Sequence, residues 1–144
     1  MADFVVDNSV VMAWCFGDEN STYADDVLES LESTEAIAPS IWPLETGNVL
    51  VVAERRKRLG KSDSIRFLDL LNNLPITVIR ESPDRMTREI LALARERQIS
   101  TYDASYLDLA MRKGLPIATQ DSGLKKAAIV SEIPIFKPLL HSEA

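Results

Sequence analysis

The sequence predicts an α/β fold: a three-layer α/β/α sandwich built around a short, mainly parallel central sheet. Four short apolar segments alternate along the chain with longer segments whose apolar residues recur at helical spacing. Strands that are apolar along their whole length are typical of parallel sheets, because helices bury both faces of such sheets. The predicted strands are residues 4–6, 36–39, 76–79 and 117–119. With 144 residues, the chain is predicted to form one domain over residues 1–144, with its core at about residues 4–138.

Helices are predicted wherever apolar residues recur every three or four positions. In the first half of the chain these segments are residues 9–16, 24–31, 43–59 and 62–71. Pro43 suits the first turn of the third helix, and Gly60 is expected to end that helix. Because no strand separates the third helix from the fourth, residues 43–73 are predicted to form a helical hairpin. This hairpin either protrudes from the domain or supplies a dimer surface.

The second half of the chain is predicted to contain three more helices and a last edge strand. The helices begin near residues 82, 101 and 125, and the edge strand is residues 134–136. In the middle one of these helices, Asp103, Leu107 and Met111 recur every four positions, and Gly114 ends the helix. Asp103 therefore lies in line with an apolar row. A buried carboxylate is costly unless it is paired, protonated or bound to a metal.

The charge of the chain limits the kinds of partner it can have. The formal net charge is -6, from 16 basic and 22 acidic residues. This balance argues against broad, nonspecific coating of nucleic acid, which needs a basic surface. It is compatible with an enzyme that contacts nucleic acid through local basic patches. It also makes a basic protein a natural partner.

The cysteine content and the N-terminal segment indicate the cellular compartment of the protein. The single cysteine, Cys15, cannot form an internal disulfide, which fits a reducing cytosol. The N-terminal segment lacks the basic start and uninterrupted apolar stretch of a signal peptide. No run of about 18 apolar residues is present, so no membrane span is expected. We therefore expect a cytoplasmic protein.

Four acidic residues stand at notable positions in this predicted fold. Asp7 and Asp121 directly follow the first and fourth strands, whereas Glu45 and Asp103 fall in the first turns of helices. Each has an ordinary structural explanation when taken singly. An Asp after a strand can cap the next helix or stabilise a turn, and an acid in a first turn complements the helix dipole.

Taken together, the four acids predict a shared ligand site rather than four separate helix caps. Ligands of open parallel sheets gather beyond the carboxyl ends of the strands, where Asp7, Asp121 and the starts of the neighbouring helices all lie. Two unit charges about 4 Å apart repel by about 4 kcal/mol at an effective dielectric of about 20. A divalent cation would remove this repulsion. Gly47 is expected to permit a close approach beside Glu45 and Asn48, because a Gly inside a helix otherwise costs about 1 kcal/mol.

The type of metal follows from the available ligands. An all-oxygen site suits Mg²⁺ or Mn²⁺ rather than zinc. The only histidine is His141 and the only cysteine is Cys15, which also argues against Ser-His and Cys-His nucleophiles. One or two bound ions could orient a water for attack and neutralise the charge of a phosphodiester.

Four short runs of the sequence resemble one family in order and spacing. They are residues 6–9 (Val-Asp-Asn-Ser), 43–48 (Pro-Leu-Glu-Thr-Gly-Asn), 102–107 (Tyr-Asp-Ala-Ser-Tyr-Leu) and 118–121 (Ala-Thr-Gln-Asp). These runs resemble the PIN-domain ribonucleases, and they look most like the VapC toxins of bacterial and archaeal toxin–antitoxin pairs. The similarity extends from about Val5 to Phe136.

The resemblance implies a Mg²⁺- or Mn²⁺-dependent endoribonuclease that is the toxin of a type II toxin–antitoxin pair. It also implies a homodimer, an RNA substrate and a basic antitoxin that enters the acidic site. The resemblance assigns the catalytic and metal-binding roles to four acids, Asp7, Glu45, Asp103 and Asp121. It assigns supporting roles to the polar residues Ser9, Asn48 and Thr119.

Two groups of basic residues are candidates for RNA contact. Lys125 and Lys126 follow Asp121 closely, at a position that can face a substrate. Arg55 and Arg56 belong to a basic run at the end of a predicted helix, where cations also complement the helix dipole. The arginines are therefore either solvated helix-end residues or contacts to RNA phosphates.

Two alternative functions remain open from the sequence. In the first, a noncatalytic PIN-like module binds a basic protein through its acidic groove. In the second, a phosphoryl-transfer domain of the receiver type gathers acids at its strand ends and uses Lys125 or Lys126 as its essential lysine.

Overall fold

The computed structural model describes residues 1–17 and 21–139, and it confirms the predicted α/β/α architecture. Four parallel strands form the central sheet in the order β3-β2-β1-β4. Their bounds are β1 (Phe4–Val6), β2 (Ala36–Pro39), β3 (Ile76–Ile79) and β4 (Ile117–Ala118). The chain moves outward from β1 to β3 and then crosses back to β4. Since parallel crossovers are right-handed, this reversal places helices on both faces of the sheet.

Helices fill the connections between the strands. They are α1 (Asn8–Cys15), α2 (Thr22–Ser30), α3 (Trp42–Arg55), α4 (Lys61–Asn72), α5 (Pro83–Arg85), α6 (Leu91–Arg97), α7 (Thr101–Lys113) and α8 (Ser122–Val130). A π-helical turn (Met86–Ile90) joins α5 to α6. In the described residues, no helix is both long enough and apolar enough to cross a membrane.

Most predicted boundaries agree with the observed ones within two residues, and three elements differ by more. Helix α3 ends at Arg55, before the predicted stop at Gly60, because Lys57 adopts a left-handed φ of 59° and the Arg58 N–H donates to the Ala53 carbonyl at 2.8 Å. Helix α8 starts earlier than predicted, at Ser122. Residues 134–136 form a single parallel bridge between Ile135 and Ile117 rather than a strand.

The core lies around β1 and the long helix α7. All three residues of β1 are fully buried, as are Tyr106 and Leu107 of α7. Helix α7 contacts β1, β2 and β4, so it covers the middle of the sheet. Gly114 ends α7 in the left-handed conformation, with φ of 65°, as its position in the sequence predicts. The start of α7 is thereby fixed over the carboxyl ends of the strands.

Ion pairs around the buried carboxylate of Asp108 connect α7 to the segment that precedes α6. The carboxylate of Asp108 accepts hydrogen bonds from Arg85 at 2.7 and 3.1 Å and from Arg112 at 3.0 Å. Arg112 also pairs with Glu81. The Asp108 side chain is only 9% exposed, whereas the two arginines reach solvent. This network ties α5 and the segment before it to α7.

We predict that Asp108→Asn lowers the free energy of unfolding by about 2 kcal/mol, because Arg85 and Arg112 lose the charge of their buried partner and keep only Glu81. Urea denaturation would measure this change. The matched control is Asp84→Asn, which removes an Asp–Arg pair of similar length (2.9 Å to Arg88) from an exposed position. An exposed pair contributes little to stability, so the control should unfold like the wild type. Equal effects of the two substitutions would contradict this account.

Candidate active site

Asp7 is held at the junction of β1 and β4. Its backbone N–H donates to the Ala118 carbonyl at 2.9 Å, which extends the pairing of the two strands. The side chain is buried, and its Oδ2 accepts hydrogen bonds from Ser9 at 2.6 Å and Thr119 at 2.8 Å. Burial raises the pKa of Asp7, and the hydrogen bonds from Ser9 and Thr119 oppose that increase. Two of the predicted supporting residues therefore orient one predicted acid.

Asp121 lies at the same edge of the sheet, just after β4. Its Oδ2 accepts the Leu124 N–H at 2.8 Å, so Asp121 is also the N-cap of α8. This cap explains why α8 starts earlier than the apolar pattern suggests. The Asp121 N–H donates to the hydroxyl of Thr119 at 3.0 Å. Thr119 thus links Asp7 to Asp121.

Asp103 brings the third acid to this edge from the first turn of α7. The hydroxyl of Ser100 accepts the Asp103 N–H at 3.0 Å, so Ser100 caps the helix. Burial raises the pKa of Asp103 to about 6, and the negative charges of Asp7, Asp121 and Glu45 add to the increase. These charges act on Asp103 only because the four side chains lie near one another. The structure therefore places the four predicted acids at one edge of the sheet, although no three of them among the described residues converge closely enough to hold an ion.

Glu45 completes this acid cluster (Asp7, Glu45, Asp103 and Asp121) from the first turn of α3. Its Oε1 accepts a hydrogen bond from the Tyr106 hydroxyl at 2.6 Å. Burial raises the pKa of Glu45, the hydrogen bond from Tyr106 opposes that increase, and the charge of Asp7 adds to it. Sequence reasoning did not identify Tyr106. Its position three residues after Asp103 places both side chains on one face of α7, and this spacing could have drawn attention to it.

A cavity of about 650 Å³ opens beside Glu45. Its lining includes Asn8, Glu45, Asn48 and Tyr102, so Asn48 shares a cavity with Glu45 as its spacing predicts. Gly47 lines the same cavity, next to Glu45 and Asn48. A Cβ at this position would meet nothing within 4 Å, since Gly47 faces open space on the exposed side of α3. The glycine is therefore not required by any close approach within the chain.

The four predicted basic residues are all exposed, but they lie at different places around the site. Lys125 and Lys126 belong to the N-terminal half of α8, within two turns of Asp121. Arg55 and Arg56 lie at the other end of α3 from Glu45. Since a helix rises about 1.5 Å per residue, this separation is about 15 Å. Arg56 and Asn48 line a second cavity, of about 190 Å³, and Asn48 also lines the cavity beside Glu45.

Two further polar residues support the site and were missed by sequence reasoning. Asn8 is buried, and its Oδ1 accepts a hydrogen bond from the Thr46 hydroxyl at 3.1 Å, which joins the start of α1 to α3. The backbone N–H of Gln120 donates to the hydroxyl of Ser9 at 3.0 Å. Both residues are direct sequence neighbours of predicted site residues, but their partners lie far away along the chain.

The family model for the PIN domain matches residues 4–130. The chain belongs to the PIN domain family. All four acids of the cluster fall inside the matched region. No curated protein matches the sequence of this PIN domain.

Solved structures show the same fold. A protein called PAE2754 from Pyrobaculum aerophilum is 26% identical and has a TM-score of 0.67, over 88% of this chain and 86% of its own. A toxin–antitoxin complex from Klebsiella pneumoniae contains a chain that is 19% identical, with a TM-score of 0.63 over 95% and 98% of the two chains. The toxin VapC20 of Mycobacterium tuberculosis, described as cleaving the sarcin–ricin loop, is 18% identical, with a TM-score of 0.58 over 87% and 95%.

The donor set of this PIN domain fits a hard divalent cation. It consists of carboxylates, which Mg²⁺ and Mn²⁺ prefer. The pKa of Asp7, Glu45 and Asp103 is raised, chiefly by burial, so a nearby cation would favour the ionised forms of all three. Among the described residues, no three acidic, histidine or cysteine side chains already converge in metal-binding geometry. The cluster thus supplies ligands of a suitable chemical type.

We predict that Asp103→Asn stabilises the metal-free protein at neutral pH, by on the order of 1 kcal/mol because the side chain is only half-buried and partly screened. The pKa of Asp103 in the folded state is about 6, above its ordinary value of 3.8. Folding therefore favours the protonated form, and the stability it contributes is lost as the pH rises from about 4 through about 6.

The test is urea denaturation of both proteins in EDTA at several pH values. The stability of Asp103→Asn relative to the wild type should increase between about pH 4 and pH 7. Asp84→Asn is the control, since Asp84 also lies in the first turn of a helix but is exposed beside Arg88. A stability difference that does not change with pH, or an unfolded Asp103→Asn protein, would contradict the prediction.

Proposed function

We propose that this PIN domain is a Mg²⁺- or Mn²⁺-dependent endoribonuclease and the toxin of a type II toxin–antitoxin pair. The observation that carries the proposal is the set of contacts that joins Asp7 to Asp121 through Thr119 and joins Glu45 through Tyr106 to the helix of Asp103. Four acids from four distant segments, at the edge where ligands of parallel sheets bind, support cation binding at this site. Such a cation is the usual means of hydrolysing a phosphodiester without a histidine or cysteine nucleophile.

Each residue of the site has a distinct role in this proposal. Asp7, Asp103 and Asp121 would hold the ion, and Glu45 would complete its ligand shell or position the attacking water. When bound, the ion supplies an activated water and neutralises charge on the phosphodiester. Ser9 and Thr119 fix the orientation of Asp7 through the two hydrogen bonds to its Oδ2. Partners of this kind orient ligands and tune the affinity of a metal site.

Exposed basic residues near the site support RNA as the substrate. The net charge of -6 gives the chain no general affinity for nucleic acid. Lys125 and Lys126 follow the last acid of the cluster and can reach a phosphate beside it. Arg56 lines one cavity together with Asn48, and Arg55 is its neighbour in the sequence. The sarcin–ricin loop activity of the distant VapC20 toxin agrees with RNA as the substrate class.

The acidic cluster also supports a basic antitoxin as the partner of this protein. A cationic side chain that entered the cluster would offset the same repulsion as a metal ion. The cavity next to Glu45 has apolar walls, and Leu44 and Tyr102 on its rim are 72% and 58% exposed. A toxin–antitoxin complex is among the proteins of similar fold. A homodimer, as the sequence resemblance implies, would repeat the site on a second copy.

A noncatalytic module remains the second candidate function. It is favoured by the absence, among residues 1–17 and 21–139, of three acids already arranged around a metal position. In this case the acid cluster would serve only to bind a basic protein. The two candidates differ in whether a divalent cation is needed.

We predict that the purified protein cuts total cellular RNA in Mn²⁺ or Mg²⁺ and that EDTA abolishes the cleavage. Asp103→Asn should lower the rate by about 100-fold or more, because it removes one of the ion's ligands. Asp84→Asn, an exposed acid outside the site, should cut like the wild type. Gel electrophoresis and sequencing of the RNA ends would measure cleavage and locate it.

The outcomes separate the two candidate functions. Cleavage that survives both EDTA and Asp103→Asn would point to a contaminating nuclease. Binding of a basic peptide by a folded wild-type protein that neither cuts RNA nor binds Mn²⁺ would favour the noncatalytic module.

A further inference from the structure

Tyr106 is the polar side chain that joins the helix of Asp103 to the helix of Glu45. Its ring is fully buried in the core beneath the acid cluster. Its hydroxyl donates a hydrogen bond of 2.6 Å to Oε1 of Glu45, which lies 61 residues away in the sequence. Among the described residues, Tyr106 is the one hydrogen-bond donor to the Glu45 carboxylate.

We propose that Tyr106 is a positioning residue that fixes one carboxylate oxygen of Glu45 and thereby leaves the other oxygen for a divalent cation or its bound water. The inference rests on the proposed metal-dependent function and extends it by one residue. A glutamate has three rotatable side-chain bonds, so its carboxylate samples many positions unless a partner holds it. The rigid, buried ring of Tyr106 supplies a hydrogen-bond donor at a fixed position.

The position of Tyr106 on α7 strengthens this role. Asp103 lies three residues earlier on the same helix, so one rigid element carries an acid of the cluster and the donor that holds another. Any displacement of α7 would move both together. The Tyr106 hydroxyl therefore fixes the distance between the acids of α3 and α7, which come from different parts of the fold.

The Tyr106 hydroxyl serves as a hydrogen-bond donor to Glu45. This hydroxyl lies 2.6 Å from Oε1 of Glu45. An ionised carboxylate can only accept hydrogen bonds, so the phenol is the donor in this contact. It does not compete with the acids for the cation, because a neutral phenol is a poor ligand compared with a carboxylate.

The simplest alternative is that the hydroxyl merely satisfies a core tyrosine. A buried hydroxyl needs a hydrogen-bond partner, and backbone carbonyls commonly serve. Tyr23 shows this arrangement, since its hydroxyl donates to the Phe136 carbonyl at 2.7 Å. Tyr106 donates instead to an acid of the cluster. Tyr23→Phe is therefore a matched control that removes a hydrogen bond of nearly equal length without touching an acid.

The experiment measures Mn²⁺ affinity by isothermal titration calorimetry, which does not depend on RNA cleavage. We expect Tyr106→Phe to weaken Mn²⁺ binding by roughly 10-fold, in the range found when a residue that orients a metal ligand is lost. Tyr23→Phe should bind Mn²⁺ like the wild type. Circular dichroism and thermal melting would show that both variants are folded.

A second pair of variants shows whether Tyr106 acts through Glu45. In a Glu45→Gln background, adding Tyr106→Phe should change the Mn²⁺ affinity by less than about twofold, since the group it positions is already lost. A purely structural role would lower the melting temperature in either background and leave the Mn²⁺ affinity of the folded protein unchanged. That result would overturn the inference, and so would equal, additive losses in the two backgrounds.

Failure of this inference can be distinguished from failure of the proposed function. If the wild type cuts RNA and Tyr106→Phe binds Mn²⁺ normally, only the role of Tyr106 is overturned. If the wild type binds Mn²⁺ but cuts no RNA, and Tyr106→Phe weakens that binding, the positioning role holds and the ribonuclease proposal fails. A wild type that does not bind Mn²⁺ overturns both.

Discussion

The parallel pairing of β1 with β4 is the constraint on which the acidic site depends. The register pairs Val5 with Ile117 and Val6 with Ala118, and the Asp7 N–H extends the pairing by one more hydrogen bond. Residues more than 100 positions apart therefore end their strands side by side. Thr119 can contact both Asp7 and Asp121 only because this register is fixed. A shift by one residue would turn each side chain to the opposite face of the sheet.

The acid cluster carries a local cost in stability. Burial and like charges raise the pKa of acids in the cluster, which means that their ionised forms are unfavourable in the folded protein. Proteins tolerate such local costs where function requires them. Here the rest of the molecule compensates with a fully buried strand β1, a long central helix and the ion network around Asp108. The cluster is therefore a strained feature in an otherwise well-supported fold.

Much of this arrangement could be predicted because it depends on strand ends and helix starts. Short apolar strands and helix-ending residues are visible in the sequence, so Asp7, Asp103 and Asp121 could be placed at one edge. Other features depend on contacts that no local pattern encodes. The left-handed Lys57 ends α3 without the usual glycine. Tyr106 finds its partner on another helix, and Gly47 and Asn48 line one cavity with Glu45 because tertiary packing sets the orientation of α3.

The most direct test of the central claim is nuclear magnetic resonance of ¹⁵N-labelled, metal-free protein titrated with small amounts of paramagnetic Mn²⁺. If the four acids form one cation site, the amide signals next to Asp7, Glu45, Asp103 and Asp121 should broaden together and first. Signals next to the exposed acids Asp69 and Asp84 should persist. Broadening confined to one of the four segments, or spread equally over exposed acids, would contradict the claim that this fold assembles a single metal-binding cluster.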